Sequence, residues 1–222
     1  MSRTSPRDKL EQVNAAIAKS ASLAGRRPEE VTLIAVTKTH PAEAVLPLLD
    51  AGHRHYGENR VQEAAAKWPE LRERYPDVVL HLIGRLQSNK AAEAVALFDC
   101  IHSVDRTSLV AALAEAMGKQ GRRPDCFIQV NVGEELQKGG CSPGALPALL
   151  DHAREADLPL KGLMCIPPAE VEAAPYFALL AKLARRHGLQ GLSTGMSGDY
   201  ETAVAIGATH VRVGSALFGE RQ

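Results

Sequence analysis

A single α/β domain closed as an eight-stranded (β/α)8 barrel, with one extra helix ahead of the first strand, is the fold this sequence predicts. Three observations carry it. Short β-branched runs alternate with longer alanine- and leucine-rich stretches, the alternation can be counted eight times, and 222 residues lie near the lower size limit for eight such units. A doubly wound open sheet would need fewer strands or a glycine fingerprint after the first. GxGxxG is absent there, and GxxxxGK[ST] is absent throughout. No internal repeat and no Pro/Gly/Ser-rich linker divides the chain, so one domain spans residues 1–222.

The elements follow in order. Arg7 to Leu23 reads as the additional helix, with Leu10, Val13, Asn14, Ile17 and Leu23 partly on one side. The strand candidates are Val31 to Thr37, His53 to Gly57, Val78 to Ile83, Cys100 to Ser103, Cys126 to Val132, Leu160 to Cys165, Gly191 to Thr194 and Thr209 to Val213. Several are nearly continuous apolar runs, which suits parallel strands covered on both faces. Between Asp105 and Gly118 the residues Leu109, Ala112, Leu113, Ala116 and Met117 recur at helical spacing, and Asp105 is placed to cap the first turn. The stretch ending Lys182 to His187 sets basic residues against a negative helix end, with Gly188 where a left-handed residue is needed. Pro47 and Pro69 fall inside two further helical stretches, where each removes a donor and bends the axis.

Composition narrows the function. Twenty-six Lys plus Arg balance twenty-six Asp plus Glu, so no broad nucleic-acid surface is expected and any anion site must be local. No apolar stretch approaches the roughly 20 residues that cross a bilayer, and the polar start MSRTSPRDKLEQ lacks a secretory h-region. Cysteines at 100, 126, 141 and 165 form no CxxC and show no zinc-ligand spacing, so neither a metal site nor a disulfide framework is expected. A reducing cytoplasm is the simplest home.

In a (β/α)8 barrel the reactive face is where strands end. The first strand ends in IAVTKTHP, placing Lys38 at the top of an apolar run. Such a lysine either marks the strand's exit to solvent or is held partly desolvated, where a neutral amine can attack an aldehyde. The second strand runs into YGENRVQE, where Asn59 is either a helix cap or a ligand-facing residue. HLIGRLQSNK closes the third, with Gly84 permitting an unusual turn and His81 reading as a satisfied core histidine. STGMSGDYETAVAIG and VRVGSALFGER follow strands seven and eight, the loops where barrels recurrently hold phosphate. Ser197, Gly214 and Ser215 therefore converge on one dianion, or else the two serines are simply helix caps. Alternation turns Arg212 into the barrel, where it calls for a partner such as Glu58, Asp199 or a ligand acceptor.

Taken in order, AVTKTHP, YGENRVQE, HLIGRLQSNK, SVDR, NVGEELQKGG, GLMCIPP, LSTGMSGDYETAV and VRVGSALFGER resemble the pyridoxal phosphate homeostasis proteins, the YggS/PROSC-like group, over nearly the whole chain. The resemblance implies a barrel like that of bacterial alanine racemase, with pyridoxal 5′-phosphate joined to a lysine as an internal aldimine. Carried over by motif, Lys38 matches the Schiff-base lysine and Asn59 a polar residue near the cofactor ring. Ser197, Gly214 and Ser215 match the phosphate cradle, and Arg212 the arginine facing the pyridine nitrogen. Ser215 stands where the family often has threonine and Thr194 where it often has methionine. Gly133 replaces a usual serine, and the tract before His81 lacks a frequent tryptophan.

An arginine opposite the pyridine nitrogen disfavours its protonation and weakens the ring as an electron sink. A two-sided racemase also draws a tyrosine from an additional β-domain, whereas eight β/α units consume this chain. The expectation is therefore a carrier that holds the vitamin and releases or transfers it, transiently meeting apo enzymes, as a monomer or weak homodimer. The rivals are a weak PLP-dependent racemase and a PLP-independent phosphosugar enzyme that forms an imine through Lys38.

Overall fold

The computed structural model describes residues 5–169 and 171–219. Its elements run α1 (Pro6–Leu23), β1 (Thr32–Val36), α2 (Ala42–Asp50), β2 (His55–Glu58), α3 (Val61–Arg74), β3 (Val79–Leu82), α4 (Ala91–Leu97), β4 (Cys100–Val104), α5 (Thr107–Gln120), β5 (Asp125–Gln129), α6 (Leu146–Glu155), β6 (Leu160–Met164), α7 (Ala174–Arg186), β7 (Gly191–Ser193), α8 (Tyr200–Ile206), β8 (His210–Val213) and α9 (Ser215–Phe218). All strands pair in parallel in chain order, and β8 closes onto β1 with Leu33 opposite Val211 and Ile34 opposite Arg212. Each expected strand is present. Several ends are trimmed: β5 ends at Gln129, while the Val130 amide still donates to the Met164 carbonyl of β6 at 2.8 Å and Val130 also bridges Cys141.

Strand alternation builds two environments. Leu33, Ala35, Leu80, Leu82, Ile101, Ile128, Leu163, Val211 and Val213 join the apolar faces of the surrounding helices in one continuous core. Residues of opposite parity meet along the barrel axis. Cys100, Phe127 and Met164 pack there as a small separate cluster, and the His102 ring stacks on Phe127 with centroids 4.5 Å apart. The axis is thus partly polar, which positions both the site and the histidine cluster described below.

The extra helix begins with a reciprocal cap: Ser5 Oγ accepts from the Asp8 amide at 3.1 Å, and Asp8 Oδ2 accepts from the Ser5 amide at 3.0 Å. Its buried stripe is Leu10, Val13, Ile17, Ser20 and Ala21, which packs against α8, α9 and α2. Asn14 and Leu23, expected on that stripe, are exposed, and the small residues Ser20 and Ala21 complete the buried face near the helix end. Arg26 then ties the helix end to the barrel, donating to the Val204 carbonyl at 2.8 Å.

Asp105 does not cap α5. Arg106 is the residue before the first turn and makes no side-chain cap. Asp105 instead pairs with Arg106 at 2.5 Å and faces the Gly140 amide, because the loop 131–140 folds back over this end of the barrel. The buried face of α5 is otherwise as the spacing predicts, with Leu109, Leu113, Ala116 and Met117 inside. Pro47 and Pro69 are both accommodated within α2 and α3, and α7 ends at Arg186, with Gly188 at φ 70°.

Candidate functional site

Lys38, Asn59, Ser197, Arg212, Gly214 and Ser215 all line one cavity of about 360 Å³ at the C-terminal ends of the strands. That volume lies within the small-ligand range. The six come from the ends of β1, β2 and β8 and from the loop after β7, so closure of the barrel is what assembles them.

Lys38 stands two residues beyond β1 and is half-buried. Its turn is fixed from several sides. The His40 amide donates to the Thr37 carbonyl at 3.1 Å, and Thr39 takes a left-handed φ of 65°. From α3, Lys67 Nζ donates to the Thr37 carbonyl at 2.8 Å and to the His40 carbonyl at 2.9 Å. The same ammonium lies 2.6 Å from Oε1 of Glu58, a fully buried carboxylate that also accepts from Thr37 Oγ1 at 2.6 Å and Trp68 Nε1 at 2.9 Å. Glu58 therefore serves the Lys38 turn and is not the partner of Arg212. Lys67 and Trp68 were not singled out by motif; their adjacency on α3 behind two strand-end motifs is the only local trace of this role.

Asn59 follows β2 and is half-buried. It does not cap α3, whose preceding residue is Arg60, with no side-chain cap. The exit of β3 passes directly beneath it: a Cβ on Gly84 would sit 2.2 Å from the Asn59 carbonyl oxygen, so only glycine fits. Gly133 has a comparable reason. A Cβ there would meet Pro168 Cγ at 2.5 Å, so the loop after β5 packs closely against the loop after β6.

Ser197 reaches across loops. Its Oγ accepts from the Gly214 amide at 3.1 Å and faces the Ala216 amide at 3.5 Å, which joins the turns after β7 and β8. Asp199, the residue before α8, accepts from the Met196 amide at 2.5 Å and closes its own turn. It makes no hydrogen bond to Arg212 among the described residues. Ser215 opens α9 and is exposed.

Arg212 is 4% exposed and points into the barrel as alternation predicts. Nη1 donates to Ser193 Oγ at 2.8 Å and Nη2 to the Cys165 carbonyl at 2.9 Å. Burial lowers its pKa from the ordinary guanidinium value, yet arginine stays protonated in proteins. A cation held by neutral acceptors keeps its charge uncancelled beside the cavity. Cys165 itself is buried, its thiol 3.2 Å from Thr194 Oγ1 and raised by burial to about 11. His81 is a satisfied core histidine, hydrogen-bonded to the rings of His55 and His102.

The family model for the alanine racemase N-terminal domain matches residues 10–222. A Pseudomonas aeruginosa protein named pyridoxal phosphate homeostasis protein is 42% identical over 222 residues, 96% of this chain and 95% of that one. The protein of the same name from Escherichia coli K12 is 38% identical over 224 residues, again 96% and 95% of the two chains. This chain belongs to the pyridoxal phosphate homeostasis protein family. Among solved structures, PipY of Synechococcus elongatus PCC7942, determined with PLP bound, superposes with a TM-score of 0.79 at 44% identity, covering 91% of this chain and all of PipY. The alanine racemase of Clostridium difficile 630 shares the fold, with a TM-score of 0.70 at 13% identity. There the match covers 94% of this chain but 56% of the racemase, whereas members of the homeostasis family match it nearly end to end.

Proposed function

We propose that this protein binds pyridoxal 5′-phosphate in the strand-end cavity and serves its homeostasis, holding the vitamin for release or transfer to apo enzymes. The observation that carries the reading is the convergence of a lysine amine, a buried arginine and two cross-linked serine–glycine turns on one cavity of about 360 Å³. The identity of 44% with PipY, which has been solved with PLP bound, supports the choice of ligand.

When bound, the vitamin supplies an aldehyde that condenses reversibly with a primary amine, and an ester dianion. Lys38 offers the amine, on a turn pinned by Lys67. Ser197 and Ser215 offer hydroxyl donors to the dianion, and the Gly214 amide holds Ser197 Oγ in place beside it. Asn59 borders the ring's space. Arg212 keeps a fixed positive charge that opposes a second cation on a neighbouring ring nitrogen, which favours holding over carbanion chemistry. A cytoplasmic location fits the four free thiols, and among the described residues no helix is long and apolar enough to cross a membrane. A monomer or weak homodimer completes the reading.

Borohydride reduction of the loaded protein followed by peptide mapping tests it. The label is expected on Lys38; a label on another lysine overturns the assignment. Lys38→Ala is expected to lose the covalent link while retaining weaker binding through the phosphate turns. Recovery of an apo enzyme's activity, faster with loaded protein than with the free vitamin, supports transfer. Robust α-proton exchange of amino acids into solvent would favour the racemase reading instead.

A further inference from the structure

Beneath the proposed vitamin site, the barrel axis holds a group of side chains that the reading above does not use. His81 on β3 and Cys100 on β4 are register partners, and His102 lies one axis-facing position further along β4. All three are buried. Their donor atoms all lie within 4.8 Å of one another, with His81 Nδ1 2.9 Å and Cys100 Sγ 3.1 Å from His102 Nε2.

An imidazole nitrogen carries one proton or one lone pair in the ring plane, so it completes one strong hydrogen bond. Here a second ring nitrogen and a sulfur both crowd Nε2 of His102, and one proton cannot serve both. A cation at their centre would engage all three lone pairs. The outer nitrogens are already committed in the manner of metal-bound histidines: His81 Nε2 meets His55 Nδ1 at 3.1 Å, and His102 Nδ1 meets Ser193 Oγ at 2.8 Å.

The cluster also selects among cations. Structural zinc is closed by four ligands, and this set has three. Two imidazoles and one thiolate around a divalent ion leave a net positive charge in the barrel core, close to the Ser193-linked Arg212. A monovalent ion leaves none. Soft sulfur and imidazole donors suit Cu(I). We propose that His81, Cys100 and His102 form a three-coordinate site for a soft monovalent cation of the Cu(I) class. On loading, the S–H bond of Cys100 breaks, its proton goes to solvent and the sulfur–copper bond forms, with no change of oxidation state. The sequence pointed to no metal because two of the donors sit on one strand and the third on its neighbour, with no CxxC-type spacing to mark them.

Anaerobic titration of the full chain with Cu(I), delivered from a chromophoric Cu(I) chelator, tests the site. One equivalent is expected to bind with release of one proton and a thiolate-to-metal band in the ultraviolet. Cys100→Ser is expected to weaken binding by at least about tenfold, and Cys126→Ser to leave it unchanged. X-ray absorption of the loaded wild type gives a readout independent of the folding of any variant, with one sulfur and two imidazole nitrogens expected. Failure to take one equivalent, wild-type affinity in Cys100→Ser, preferential uptake of Zn(II), or a coordination shell with more than one sulfur would each overturn the proposal.

Discussion

Lys67 Nζ lies 2.6 Å from Oε1 of Glu58, and this pair, 10% and 0% exposed at the side chain, holds the turn that carries Lys38. The ammonium spends its other protons on the carbonyls on either side of Lys38. Lys67→Met would strand the Glu58 carboxylate in the core, where breaking a buried pair costs about 3–5 kcal/mol. Urea denaturation is expected to show that loss, and adding Glu58→Gln to recover much of it. Equal stability of Lys67→Met and wild type would refute this role.

Arg212 is held by Ser193 Oγ and the Cys165 carbonyl, with no carboxylate bonded to it among the described residues. Arg212→Gln should therefore remove a charge from the cavity without stranding an opposite one. Loss of a charged hydrogen-bonding group corresponds to about 1.5 kcal/mol or more, or at least about tenfold in affinity for the vitamin. Absorption titration measures both the affinity and the accompanying change in the spectrum; an unchanged pair of values contradicts the proposed contact.

Gly84→Ala would place a methyl carbon 2.2 Å from the Asn59 carbonyl oxygen, backbone that cannot rotate away. A loss of about 1–3 kcal/mol in stability is expected from overpacking, with weaker vitamin binding as the Asn59 turn shifts. Denaturation and titration on the same sample separate the two effects.

Acid should weaken the fold through its histidines. Burial lowers His53 and His210 to about 4 and holds His81 and His102 well below the ordinary value. The unfolded chain binds their protons near pH 6.5 and the folded one does not, so the stabilising contribution is complete above that pH. It is lost as pH falls from about 6.5 towards 4, each buried histidine adding a slope of up to about 1.4 kcal/mol per pH unit. Denaturation between about pH 7 and pH 5 should show stability falling with acid, less steeply in His102→Phe. A flat profile would mean that these rings ionise in place.

By itself the sequence determined the barrel and the order of its eight units, and it marked six strand-end residues that the fold brings to one cavity, because these follow from local patterns. Two-residue and helical periodicities set strand and helix, and glycine–serine turns mark strand ends within a few residues of chain. Only the tertiary structure decided which side chains serve them. Glu58, one of the partners offered for Arg212, became the anchor of Lys67; Asp199 closed its own turn, and Asp105 turned to Arg106 and the Gly140 amide instead of capping α5. Ser193, His81 and Cys100 came together from three strands. Pairings between elements depend on inter-strand register and helix rotation, which bring together residues as far apart in the chain as His102 and Ser193 and leave no periodic trace along it.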